Sequence, residues 1–143
     1  MRKHDKVNLA CYLLKTMGSQ ESFSQVDEQR EIVLPDVPFL AMSRSNAYAL
    51  TPDGEIKNLG LEEASRAFHK QPAIVVHAPY TSRRLKLKTW QPFDLLELFA
   101  FTYPGRFCVP TPLGVLKALG LVADADNMSG EDIVTGLYEA ADQ

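Results

Sequence analysis

The sequence predicts a small α/β domain: a mixed sheet containing a β-hairpin, with several helices flanking it. Between Val37 and Leu59 the polarity alternates as in strands, and Pro52-Asp53-Gly54 is a turn signature in which glycine supplies the positive φ. Ala73 to His77 (AIVVH) is an apolar, β-branched run of the kind buried on both faces of a sheet. Around these lie segments with apolar residues at helical spacing, and the order hairpin, helix, strand, then helices gives the layered class.

With 143 residues, the chain can bury roughly two-thirds of the surface that its unfolded form exposes. Its 45% hydrophobic and 23% charged residues exclude a disordered or fibrous chain. The apolar run Leu95 to Phe101 is broken by Glu97 and is far too short to cross a bilayer. Basic Arg2, Lys3 and Lys6 are followed by Asn8 and only a short apolar stretch, which is not a secretory signal, so a cytoplasmic protein is expected. Cys11 and Cys108 are too far apart for a thiolate metal site or a small disulfide scaffold and read as buried or free thiols. A net charge of −3 excludes nucleic-acid binding over the whole surface, but not through a local basic patch.

Taken in order, residues 5 to 17 place Leu9, Leu13 and Met17 on one side of an amphipathic helix, and Gly18 to Glu31 is a polar arm. The compact domain is therefore expected over residues 32 to 143, with residues 1 to 31 as an N-terminal helix and flexible arm. The hairpin pairs Ala47–Thr51 with Glu55–Leu59. Residues 61 to 69 form a short helix with Leu61, Ala64 and Phe68 on one face and Glu62 and Glu63 in its first turn. Ala73–His77 is expected as the central strand. Asp94 caps a helix over LLELFAF that ends before Pro104-Gly105, and its nearly all-round apolar surface predicts burial. Thr111-Pro112 opens another helix that stops at Gly120, and Ser129 with Asp132 opens the last in a capping-box spacing. Because that helix runs almost to the end of the sequence, the natural protein is expected to continue.

The chain has no GxxxxGK[ST], no HExxH and no His/Cys cluster at metal spacing, and His4, His69 and His77 do not form a ligand set. His77 ends the Ala73–His77 strand at the edge where open α/β sheets place ligands, ahead of a loop bearing the hydroxyls of Tyr80, Thr81 and Ser82. It reads either as a ligand-binding group or as a histidine hydrogen-bonded to backbone. Arg83, Arg84, Lys86 and Lys88, flanked by Tyr80 and Trp90, can contact phosphates while a ring stacks on a base, or can be a solvated basic face. Beyond Lys117 every charged residue is acidic, so such a surface is local. Asp94 and Glu97, three apart, read as a helix cap and a surface acid in preference to a cation-binding pair.

The stretch AIVVHAPYTSRRL…FDLLELFAFTYPGRFCVPTPLGVLKALGL resembles the second half of DnaQ-like 3′–5′ exonuclease domains. There a buried strand ends in His-Asn, a loop carries a metal-binding Asp, a helix opens with Asp, and a short helix closes on Leu-Gly-Leu. With TPDGEI, VVHAP, FDLLELFAF and VPTPLGVLKALGL in order from Ala47 to roughly Gly136, it is more specifically similar to the N-terminal region of bacterial DinG-type ATP-dependent DNA helicases. The resemblance implies an RNase H-like fold, a DNA-repair setting, and a motor domain beyond Gln143. His77 matches the exonuclease histidine and Asp94 the helix-opening aspartate, neither of them a metal ligand in that family. The loop aspartate falls at Ser82, the D-x-E motif has no counterpart between Val33 and Thr51, and MSGEDIVTGL departs from H-x-x-x-x-D.

The resemblance thus implies a degenerate module with no cofactor of its own and a vestigial site at His77, Ser82 and Asp94. Its expected partners are single-stranded DNA, met through Tyr80, Arg83, Arg84, Lys86, Lys88 and Trp90, and helicase motor domains in cis or another protein. Two alternatives stand beside it. One is an active nuclease holding Mg²⁺ through Asp53, Asp94, Glu131 or Asp132. The other is a protein-interaction adaptor that uses the helix at 5 to 17 and the arm bearing Phe23.

Overall fold

A computed structural model describes residues 34 to 122 and 127 to 143, all within one unit that spans residues 32 to 143. The helix expected at 5 to 17 and the arm at 18 to 31 lie outside the described residues.

The fold is α/β, with a five-stranded mixed sheet and five helices among the described residues. In chain order the elements are β1 (Phe39–Met42), β2 (Asn46–Leu50), β3 (Ile56–Gly60), α1 (Leu61–Phe68), β4 (Ile74–Val75), α2 (Ala78–Arg84), β5 (Phe93–Asp94), α3 (Leu95–Thr102), α4 (Pro112–Ala118) and α5 (Gly130–Ala141). The sheet order is β3-β2-β1-β4-β5. β1, β2 and β3 form an antiparallel meander, whereas β4 runs parallel to β1 and β5 parallel to β4.

Strand alternation divides the core into two layers, because successive side chains leave opposite faces. Leu40, Ala47, Ala49, Ala73 and Val75 pack with Ala64 and Phe68 of α1 and with Leu85 and Leu87 beyond α2. Phe39, Ala41, Ile74 and Val76 pack with Leu95, Val115, Leu116, Val134 and Leu137 from α3, α4 and α5. The sheet is thus covered on both faces.

The hairpin forms as expected, with Ala47 opposite Leu59 and Gly54 at φ +84° closing the turn onto the Thr51 carbonyl. Thr111 Oγ1 accepts from the Gly114 amide at 3.0 Å, ahead of Pro112 at the first helical position. At α5, the Asp132 amide donates to Ser129 Oγ, and Asp132 Oδ2 accepts from the Ser129 amide at 3.0 Å and from its hydroxyl at 2.7 Å. Gly130 is fixed by a close approach: a Cβ there would run into the Tyr48 ring.

Two helices end in the same motif with different residues. After α4, Gly120 at φ +74° donates to the Lys117 carbonyl, and Leu121 donates to that of Leu116. After α2, Lys86 occupies the equivalent left-handed position at φ +57°, donating to the Arg83 carbonyl, and Leu87 donates to that of Ser82. A side chain in that conformation costs roughly 1–2 kcal/mol, which glycine avoids.

Several expectations are corrected. The central strand is β1. Ala73–His77 supplies the interior strand β4, which pairs through two residues because His77 turns out of the ladder at φ +63°. The segment after His77 is the helix α2 and not a loop, with its start held by contacts from outside its own sequence. The helix over LLELFAF is only half covered. Leu95 and Phe99 are buried, but Leu98 and Phe101 are 52% and 82% exposed, because α3 follows the edge strand β5 and offers just one face to the sheet.

Thr111→Ala should destabilise the fold by about 1 kcal/mol in urea denaturation, through loss of the cap. The Ser129 hydroxyl and amide hold the Asp132 carboxyl below its ordinary value of 3.8. Its contribution to stability is therefore complete above that value and is lost as pH falls through the lowered folded value. Acid titration of Ser129→Ala by circular dichroism should show a weaker dependence in this window.

Candidate functional site at the carboxyl edge of the parallel strands

β1, β4 and β5 point the same way, so their carboxyl ends bring Met42, His77 and Asp94 to one edge of the sheet. This is the edge at which open α/β sheets place ligands. Asp94 stands opposite Val75 in the β4–β5 register and is also the N-cap of α3.

Both oxygens of its carboxylate are occupied by backbone. Oδ1 accepts from the His77 amide at 2.9 Å and the Leu96 amide at 3.0 Å, and Oδ2 accepts from the Ala78 amide at 2.7 Å. The first turns of α2 and α3 are thereby fixed by one side chain. The left-handed His77 aims two successive amides at the same point, the concave arrangement that binds anions, and Asp94 is the anion that fills it. A cation at this carboxylate would compete with backbone amides for oxygens that already accept three hydrogen bonds.

His77 caps α2 in turn, its Nδ1 accepting from the Tyr80 amide at 3.2 Å. Nε2 is therefore the ring nitrogen left to meet a ligand. The neighbouring Tyr80 ring lies 6.1 Å from it, centroid to centroid.

The Arg84 guanidinium reaches back along α2 to the same edge. It donates to Tyr80 Oη at 2.9 Å, to the Ser43 carbonyl at 3.0 Å and to the Arg44 carbonyl at 2.6 Å. Arg84 thus clamps the β1–β2 turn to α2. Ser82, at the position expected of a loop aspartate, is a half-buried residue of α2.

The structure gathers only part of the basic set expected to touch nucleic acid. Tyr80 and Arg84 meet at the carboxyl edge. α2 then carries the chain back towards the start of β5, so Lys86, Lys88 and Trp90 lie at the opposite, amino edge. There Trp90 Nε1 donates to the Gln71 carbonyl at 2.9 Å, just ahead of β4, and its ring packs on Phe68. Arg83, Lys86 and Lys88 are exposed.

The acids considered for a metal are likewise spread out. Asp53 sits in the β2–β3 turn, Glu131 and Asp132 open α5, and Glu97 is exposed on α3. Among the described residues no three His, Cys, Asp or Glu side chains cluster as metal ligands. Cys108 is half-buried, and its burial pushes the thiol pKa up. No described helix is long and apolar enough to cross a membrane.

No family model, curated protein or solved structure matches the chain.

If Asp94 is an internal anchor, Asp94→Asn should cost about 3 kcal/mol in urea denaturation, because an amide must turn a donor toward Ala78 or Leu96 where a charged acceptor stood. Chelator should leave the wild-type melting temperature unchanged. A fall in melting temperature on chelation would show instead that the carboxylate serves a metal.

Proposed function

We propose that this chain is a non-catalytic nucleic-acid-binding or regulatory domain, a degenerate 3′–5′ exonuclease-like module of the kind found at the N-terminus of bacterial DinG-type ATP-dependent DNA helicases, acting on DNA in the cytoplasm. One observation carries the reading: the strand leading to His77, the helix opened by Asp94 and the short helix closing on Leu119-Gly120-Leu121 follow in the order of the resemblance, with His77 and Asp94 in direct contact. Two-metal hydrolysis needs carboxylates free to hold the ions at the attacking and leaving oxygens. At this edge β1 is Phe-Leu-Ala-Met, Ser82 has a hydroxyl where a carboxylate would ligate, and Asp94 is engaged by three amides.

The exposed cations Arg83, Lys86 and Lys88 suit a phosphate backbone, while Arg84 supports the edge that carries Tyr80. A role in docking a helicase motor in cis or another protein is favoured by a separate observation. Leu98 and Phe101 on α3, and Phe107 after it, expose 52%, 82% and 84% of their surface.

Fluorescence anisotropy with labelled single-stranded DNA should show binding that weakens linearly in log affinity against log salt. The same DNA should stay intact with Mg²⁺ or Mn²⁺ present. Chelator-sensitive cleavage would establish an active nuclease instead, and absence of binding at low salt would remove the nucleic-acid reading.

A further inference from the structure

We infer that the phosphate-contacting surface lies at the amino edge of the parallel strands, away from the His77–Asp94 edge, and that α1 supplies half of it. The inference rests on the nucleic-acid reading above and specifies where that surface is. Arg66 stands in the last turn of α1, and His69 and Lys70 follow directly. The fold brings these residues beside the segment after α2: Ser65 Oγ donates to the Leu85 carbonyl at 2.7 Å, and Trp90 reaches the Gln71 carbonyl. Shallow depressions run across the junction, one lined by Arg66, His69 and Lys70 and the next by His69, Lys86, Lys88 and Trp90. Neither has an acidic residue in its lining, although the adjoining depression that Arg66 and Lys86 share also takes in Glu62. Four permanent cations from two separated stretches of sequence therefore share one surface in a chain whose net charge is −3.

The backbone at Lys86 supplies an independent argument. This residue holds the left-handed helix-ending position at φ +57° that Gly120 fills at the equivalent point after α4. A lysine kept where glycine would be relaxed gives up stability, and local strain of this kind concentrates where a side chain has a task. Here the strained position puts an ammonium between α1 and Lys88. A single strand is the favoured form of nucleic acid, because the cations sit beside an immobilised indole, the pairing of charge and ring that single strands use.

The test compares the whole chain with variants, using labelled oligodeoxythymidylate across a salt series. Arg66→Gln with Lys70→Gln should weaken binding about tenfold at low salt and lower the salt slope by about 1.4, the loss of two single-strand phosphate contacts. Lys86→Gly should raise the melting temperature while lowering the slope by about 0.7. Arg44→Gln, at the opposite edge, should leave both affinity and slope unchanged. If the α1 pair has no effect while Lys86→Gly with Lys88→Gln weakens binding, the extension onto α1 is wrong and the nucleic-acid reading survives. If Arg44→Gln gives the larger loss, the surface lies at the other edge. Equal or tighter binding to duplex DNA would overturn the single-strand assignment, and no binding by the wild type would overturn both inferences together.

Discussion

The Asp94 carboxylate is the junction of the parallel half of the sheet. β4 and β5 have only two ladder residues each, too few to fix the helices that follow them, and the carboxylate bonded to three amides supplies the missing constraint. The same charge favours the N-termini of both α2 and α3, where unpaired amides and the helix dipoles converge. The left-handed His77 is held in place by this contact. Without an acceptor for its amide and that of Ala78, the strand would have little to turn it into a helix after Val76.

That arrangement separates what the sequence shows from what it conceals. Thr111-Pro112, Ser129 with Asp132, and Pro52-Asp53-Gly54 were readable because a cap or a turn is satisfied within three or four residues. α2 was not, since the amides of His77 and Ala78 depend on Asp94, 17 and 16 residues further along, and the local share is one bond from the Tyr80 amide to His77 Nδ1. Tyr80, Thr81 and Ser82 look like loop residues until Thr81 is seen to be buried and its hydroxyl turned to the His77 carbonyl. α3 misled in the opposite direction: its composition suits a core, but among the described residues nothing beyond the edge strand β5 covers its outer face.

His77 and Asp94 could each be nominated from sequence, but not their mutual contact, which turns a possible ligand-binding pair into an internal tie. The set from Tyr80 to Trp90 is contiguous in sequence and divided in space, because Tyr80 lies in the first half of α2 and Trp90 lies six residues past its end. Arg84 shows how a cation in such a run can be spent on carbonyl groups of another turn. Arg66 and Lys70 join Lys86 and Lys88 only through the fold, by way of the Ser65 and Trp90 hydrogen bonds.

A single carboxylate that closes two helices also couples their motions. Releasing Asp94 leaves amides at the start of α2 and of α3 without acceptors at once, so the two helices open as one cooperative unit. The antiparallel meander β1–β2–β3, with four and five paired positions in its two ladders, is independent of that tie. Amide exchange should therefore be slower in the meander than at the starts of α2 and α3, which should exchange together. The segment expected to open carries Lys86, Lys88 and the exposed face of α3, whereas Arg66 belongs to α1 and Lys70 follows it, so the proposed basic surface spans both parts of the domain.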